Sequence, residues 1–305
     1  MSMTEWTTPP YADPARFQER DLTLGTGDRV VPGTLTLPLT KSRVGAVLLP
    51  GGGPFDRDET SGPNKPLKDL AWGLATAGVA VLRFDKITHT RLDVMNEPGF
   101  TMYDEYVPHT IAGIQALRDH VDQVFVIGHS MGGKVAPRIA AEEPTVAGIV
   151  IMAGDTQPMH HAAVRVMRYL ATTNPEAVPA GTVEQFERQA VVVDSPDLSA
   201  DTPAADLPFG MPGAYWLDLR DYDPVTTAAK LDVPILVLQG GRDYQVTVAD
   251  DLPAWRNGLA DATVKVIEAD NHLFFRGTGP STPADYATAQ HVDPEVLTTM
   301  LDWLP

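Results

Sequence analysis

Short apolar runs punctuate the chain at 44–50 (VGAVLLP), 79–84 (VAVLRF), 124–128 (VFVIG), 146–152 (VAGIVIM), 234–238 (PILVL) and 263–267 (TVKVI). Each is apolar at both alternating sets of positions and is closed by Gly or a polar residue, as strands buried on both faces of a parallel sheet are. Between them the apolar spacing changes to three and four. This predicts helices over 66–78 (PLKDLAWGLATAG), with Pro at its start and Gly at its end, 106–120 (YVPHTIAGIQALRDH) and 294–304 (PEVLTTMLDWL). Strand and helix in alternation define an α/β class, a doubly wound sheet with helices on both faces. Ahead of it, 19–39 alternates at period two around a Gly-rich turn, which predicts an antiparallel hairpin at the sheet edge.

One segment breaks the rhythm. Between the fourth and fifth runs, 155–232 is far longer than a crossover helix needs. HHAAVRVMRYLATTN and TVEQFERQAVVV read as helices there, and SPDLSADTPAADLPFGMPGAYW, rich in Pro, Asp and aromatics, reads as irregular. The expected organisation is a core over 19–154 and 233–305, interrupted by an inserted helical cap over 155–232.

Composition narrows the picture. The 305 residues include 43% hydrophobic ones, enough for a large core, with no apolar run long enough to span a membrane. The net charge of −17 repels phosphate backbones and argues against nucleic-acid partners; its plain reading is solubility. With no cysteine, disulfides, thiolate catalysis and Cys-ligated zinc are excluded. The leader MSMTEWTTPPYADPAR has neither the basic start nor the apolar stretch of a secretory signal. It is expected to be poorly ordered, and the protein cytoplasmic.

The chemistry concentrates at Gly128-His129-Ser130-Met131-Gly132, between an apolar run and a helix-like segment. A serine hydroxyl needs an adjacent base, a group that orients the base, and donors for the oxyanion. Gly-x-Ser-x-Gly after a strand and before a helix is the nucleophile-elbow pattern, in which side chains at the flanking positions would collide with strand and helix. Pro137 is expected to remove a hydrogen bond from the next helix, and to kink it. The elbow predicts an acid and then a histidine further along the chain. PILVLQGGRDYQV supplies Asp243, and TVKVIEADNHLFF supplies His272. His272 is assigned as base and acid, and Asp243 as the group that holds its tautomer.

Other residues compete for these roles. Asp155 also follows a strand and is an alternative acid. Asp270 is too close to His272 in sequence to orient it. His129 is expected to pack beside the site. His160 and His161, adjacent on a helix, are expected to point two ways, and no HExxH motif exists, so no metal site is expected. The oxyanion donors are assigned to the backbone N–H of Met131 and of Gly52, with Gly53 second, because glycine lets backbone amides approach a substrate closely. The loop lacks GxxxxGK[ST], which weakens a phosphate-cradle reading of it. Met159, Met167, Tyr169, Phe209, Met211, Tyr215 and Trp216 offer apolar surface in the cap. Of these, Met159, Phe209, Tyr215 and Trp216, with His129, are assigned to the substrate pocket. Arg165 and Arg168 are read as solvated.

GHSMGG, GGRDYQV and DNHLFF, in that order, resemble the α/β-hydrolase superfamily. GGGPFDRDETSGPNKPLKDLAWGLATAGVAVLRFDK and LVLQGGRDYQVTVADDLPAW look like a bacterial branch near dienelactone-hydrolase-like esterases and acyl-CoA thioester hydrolases. The resemblance runs from about residue 19 to the C-terminus and is weakest in the cap. It implies an eight-stranded, mostly parallel sheet, a Ser–Asp–His triad and no cofactor. It gives residues 56–64 a loop-shaping role, and Asp85 the task of tying down the end of its strand. Pro50 departs from the HGGG loop of lipases, which leaves the choice of donor among Gly51–Gly53 open. The expected activity is hydrolysis of a small or medium carboxylic ester or lactone. Thioester hydrolysis or acyl transfer is the nearest alternative, and a non-catalytic binding protein on the same fold is a more distant one.

Overall fold

All of the apolar runs become strands. The computed structural model describes residues 5–305. Its sheet has eight strands: β1 (Phe17–Leu24), β2 (Val31–Pro38), β3 (Val44–Leu49), β4 (Ala80–Phe84), β5 (Gln123–His129), β6 (Val146–Met152), β7 (Ile235–Gly240) and β8 (Thr263–Ile267). They lie in the order β1-β2-β4-β3-β5-β6-β7-β8. β1 and β2 form the expected edge hairpin, and β2 meets β4 antiparallel; all later pairings are parallel. The order reverses between β3 and β5, and ligands bind outside the carboxyl ends of strands at such a switch point.

The side-chain period of two splits each strand between two cores. In β3, Ala46 and Leu48 pack on one face of the sheet with Phe125 and Ile127 of β5, while Val47 and Leu49 pack on the other with Val124 and Val126. Fully burying side chains of this size contributes about 1.5–3 kcal/mol each, which is why both faces must be covered.

The covering helices are α1 (Pro66–Thr76), α2 (Ile87–Thr90), α3 (Met102–Arg118), α4 (Met131–Glu142), α5 (Met159–Thr173), α6 (Thr182–Asp194), α7 (Gly213–Asp221), α8 (Pro224–Ala228), α9 (Leu252–Gly258) and α10 (Pro294–Trp303). α3 starts earlier than its apolar spacing indicates. Thr101 and Asp104 form a reciprocal capping box there, a start signal less conspicuous with Asp at N3 than with Glu or Gln. Pro137 lies inside α4, which nevertheless runs on to Glu142. α5 and α6 pack on each other, α7 contacts α3, and α8 packs against α4.

The leader departs from expectation. Residues 1–4 lie outside the described residues, but the remainder of the leader is docked. The Trp6 ring meets Trp72 edge-on at 5.0 Å, its Nε1 donates to Asp69 at 2.7 Å, and the Tyr11 hydroxyl donates to the Val292 carbonyl at 3.0 Å. Two aromatic side chains give a polar-looking segment enough apolar surface to bind the core.

Candidate active site

The site begins with a strained turn. Ser130 follows β5 at φ 52°, ψ −118° and opens α4. A Cβ at Gly128 would lie 2.1 Å from the Gly132 carbonyl oxygen, and one at Gly132 would lie 2.6 Å and 2.7 Å from the carbonyl oxygens of Pro50 and Leu49. Both contacts are with backbone that cannot swing away, so glycine is obligatory on either side of the serine. The turn lifts the Ser130 side chain into a cavity of about 830 Å³.

Asp243 and His272 come from the loops after β7 and β8. His272 Nδ1 donates to Asp243 Oδ2 at 2.7 Å. The other carboxylate oxygen accepts from the backbone N–H groups of Gln245 and Val246 at 2.8 Å and 3.0 Å, which fixes its plane. The histidine loop is held from within: Asn271 Oδ1 accepts from the N–H groups of Leu273 and Phe275, both at 3.1 Å. Ser130 and His272 face the same cavity. Among the described residues no hydrogen bond joins the serine hydroxyl to the His272 ring; catalytic hydrogen bonds are often long in free enzymes and tighten with substrate bound.

Among the described residues neither competing acid bonds His272, whose Nδ1 is taken by Asp243. Asp155 Oδ2 accepts from Lys134 Nζ at 2.7 Å. The Asp270 carboxyl is buried without a hydrogen-bond partner, and burial, reinforced by the charge of Asp293, pushes its pKa up to about 8.

The loop after β3 brings Gly52 beside the elbow, where a Cβ would lie 3.3 Å from the end of the Met131 side chain. The neighbouring amide of Gly51 is committed, since it donates to Glu59 Oε1 at 2.6 Å. Gly51 abuts the elbow as well, where a Cβ would lie 3.1 Å from that of Ser130, so it is the free amide that distinguishes Gly52. The loop is anchored from behind by groups that carry no motif in the sequence. The Gly51 carbonyl accepts from Lys86 Nζ at 3.0 Å and from the Tyr106 hydroxyl at 2.7 Å. Lys86 is wholly buried and pairs with Glu105 at 3.0 Å; Glu105 also accepts from Thr88 at 2.6 Å and from the Tyr215 hydroxyl. Burial lowers the Lys86 pKa, against the pull of Glu105. The sequence signal for this network is weak: a charged residue just past the strand VAVLRF, and a Glu-Tyr pair inside an apolar-spaced helix. Asp85 grips Arg57, accepting at 2.8 Å from its Nε and at 3.1 Å from its Nη2. It thereby ties the loop, as well as the strand end, in place.

Of the residues assigned to the pocket, His129, Met159, Phe209 and Tyr215 line the cavity. Trp216 does not: it is fully buried behind the wall, edge-on to His160 at 5.9 Å. One residue along a helix turns the side chain by about 100°, so Tyr215 and Trp216 of α7 cannot both face the cavity. Met131, Met167 and Met211 join the wall, with Met95 and Phe55 from outside the cap segment. Arg165 bonds Asp250 and the Gln245 carbonyl, and Arg168 bonds Glu187. His160 and His161 do not diverge: both Nε2 atoms reach the Asp194 carboxylate, at 2.8 Å and 3.1 Å, and so tie α5 to α6. Neighbouring rings on a helix can converge when a partner lies across the next helix, which spacing alone does not reveal.

His129 has both ring nitrogens engaged. Nδ1 lies 2.8 Å from Glu59 Oε1, and Nε2 lies 2.8 Å from the His272 carbonyl oxygen. Burial alone would lower its pKa. The charge and hydrogen bond of Glu59, with the His272 carbonyl, more than offset this, and the pKa stands above its ordinary value. Glu59 is buried and has a left-handed φ of 53°, a conformation that costs about 1 kcal/mol or more for a non-glycine residue.

A strained serine at a strand-to-helix turn, on a wound sheet and facing an imidazole held by a carboxylate, defines the α/β-hydrolase class. Comparison with known proteins agrees. The family model described as "Serine aminopeptidase, S33" matches residues 65–277, and the chain belongs to that family of α/β-hydrolases. It is 33% identical to esterase EstD of Thermotoga maritima over 307 residues, 99% of this chain and 71% of the relative. It is 28% identical to a non-heme chloroperoxidase of Streptomyces lividans, covering 64% of this chain and 75% of that one. Among solved structures, Est1E from Butyrivibrio proteoclasticus superposes with a TM-score of 0.57 at 15% identity, over 92% of this chain and 98% of that one. The proline iminopeptidase of Mycobacterium smegmatis gives a TM-score of 0.58 at 18% identity, over 83% and 92%. At such identities these two structures speak for the fold alone. No helix among the described residues is long and apolar enough to cross a membrane.

Proposed function

We propose that the protein is a serine esterase that cleaves uncharged carboxylic esters of small to medium size through an acyl-enzyme. His272 Nε2 takes the Ser130 proton as Oγ attacks the ester carbonyl, and Asp243 holds the other ring nitrogen protonated. The tetrahedral oxyanion is held by the N–H groups of Met131 and Gly52, with Gly53 the second choice in that loop; one donor of this kind contributes about 3–4 kcal/mol to lowering the barrier. His272 returns its proton to the leaving alkoxide. It then activates the water that releases the acid and restores Ser130. The observation that carries this reading is the 2.7 Å His272–Asp243 bond facing the same cavity as the strained Ser130. The likeness to esterase EstD supports the choice of ester.

The wall supports an uncharged substrate. It carries methionines and aromatics, with Glu59, Glu105 and Asp155 as its acidic groups and neither Lys nor Arg. A polyanionic thioester such as an acyl-CoA would find no Lys or Arg there among the described residues, while the ring of His129 is already matched by Glu59, and would meet a chain of net charge −17. The resemblance to acyl-CoA hydrolases is therefore set aside in favour of neutral esters, with the segment 155–232 acting as the cap that shapes the pocket. The test is a panel of p-nitrophenyl esters and acyl-CoA thioesters of graded chain length, with fluorophosphonate labelling of wild type and Ser130→Ala. The reading expects Ser130-dependent labelling and ester turnover well above thioester turnover. Absence of labelling, or a preference for the CoA thioester, overturns it.

A further inference from the structure

Three separate pieces of the site meet at one buried pair. Glu59 Oε1 accepts from Gly51 N–H, which precedes the oxyanion residue Gly52, and lies 2.8 Å from Nδ1 of His129, which precedes Ser130. His129 Nε2 lies 2.8 Å from the carbonyl of His272 itself. A carbonyl oxygen can only accept, so Nε2 carries a proton. Glu59 Oε1 already takes one N–H, and as a carboxylate oxygen it takes a second from Nδ1. With Glu59 as the carboxylate, satisfying both ends requires the doubly protonated ring.

We propose that Glu59 and His129 form a positioning ion pair that sets the distance between nucleophile, base and oxyanion loop, and that the protonated His129 ring is the working form. This rests on the esterase reading above. The triad and the oxyanion donors touch substrate; Glu59 and His129 act through the backbone that carries them. The groups facing His129 are Glu59 from the β3 loop, the His272 ring at 4.7 Å from the β8 loop, and behind that Asp243 from the β7 loop. Lys86, with its partner Glu105, stands on the opposite side of Gly51. No other cation bonds Glu59 among the described residues. Because the folded-state pKa of His129 is raised, the pair is fully formed below the ordinary histidine value of about 6.5 and is lost as pH rises through the higher folded value. His129 therefore gives activity its alkaline limb.

The experiment is ester hydrolysis from about pH 5 to about pH 10 for wild type, Glu59→Gln, His129→Gln and the double variant, with histidine-selective ¹⁵N NMR of wild type. Glu59→Gln keeps the acceptor but removes the charge. Its kcat is expected to fall about tenfold or more with KM within about twofold, and its alkaline limb to move to lower pH. His129→Gln should lose that limb. The double variant should be no worse than the poorer single, since the pair acts as a unit. The NMR spectrum should show a doubly protonated His129 ring at neutral pH. A wild-type pH profile in Glu59→Gln, multiplicative losses in the double variant, or a neutral His129 ring at pH 7 each overturn the proposal. A merely structural pair would lower the melting temperature and leave the alkaline limb in place. If a variant fails to fold, the NMR measurement on wild type still decides. Failure of the esterase reading is distinct: it appears as absence of ester turnover and of fluorophosphonate labelling in wild type.

Discussion

Replacing Asp243 by Asn tests the site most sharply, because the structure dictates which way the amide must face. One carboxylate oxygen accepts from two backbone N–H groups at 2.8 Å and 3.0 Å, and the other accepts from His272 Nδ1 at 2.7 Å. An amide has a single oxygen. Turned toward the two N–H groups, it keeps both bonds and presents its NH₂ to Nδ1. Nδ1 must then accept, the ring proton moves to Nε2, and the nitrogen facing Ser130 can no longer take a proton. The opposite orientation sets NH₂ against two donors in a buried place and forfeits about 1–3 kcal/mol. The wrong tautomer is therefore the stable one, and kcat is expected to fall about 10⁴-fold, or about 5 kcal/mol of barrier, with the melting temperature little changed. The assay is p-nitrophenyl ester hydrolysis on active-site-titrated protein, with Asp155→Asn alongside. Asp155 is bound to Lys134, so its variant should lose less than about tenfold, a peripheral effect on the scale used for variant kinetics. Full activity in Asp243→Asn together with a dead Asp155→Asn would refute the assignment and the tautomer argument with it.

Gly132→Ala pushes a methyl group into the carbonyls of Pro50 and Leu49. A loss of about 3 kcal/mol, the upper end for overpacking, should appear as a melting temperature lower by roughly 6 °C; an unchanged melt would show that the elbow has room to spare. Asp270, buried and pushed up to about 8, is protonated in the folded chain where the unfolded chain is ionised. Its raised pKa means that stability present below about pH 4 is lost as pH climbs toward 8. Wild type should therefore melt progressively lower between those limits, and Asp270→Asn should flatten the decline. Parallel pH profiles for the two proteins would contradict this.

Much of this architecture was legible in the one-dimensional pattern. A strand buried on both faces is apolar at most positions, with a paired exception such as Arg83 in β4, so β3 to β7 stand out as nearly continuous runs, and the residues that close them mark the loops where chemistry sits. Ser130 and Asp243 could be proposed because each follows such a run, and His272 because it follows the half-exposed β8, in the order the elbow demands; Gly128 and Gly132 answer a purely local steric need. The capping box of α3 was present in the sequence, with Asp where a longer acid is the commoner signal.

Outside the proposed triad, tertiary structure alone decided the contacts between segments remote in the chain. The approach of Glu59 to His129, the anchoring of Gly51 by Lys86 and Tyr106, and the convergence of His160 and His161 on Asp194 leave no periodic trace, since a single side chain meeting a single distant partner repeats at no interval. The same holds for Tyr215 and Trp216. Both are apolar and adjacent, and only the rotation at which α7 settles on the core selects the one that faces the cavity. Local sterics and burial write themselves into the sequence because many neighbouring residues must agree. A pairwise contact across the fold is settled by packing, and must be read from coordinates.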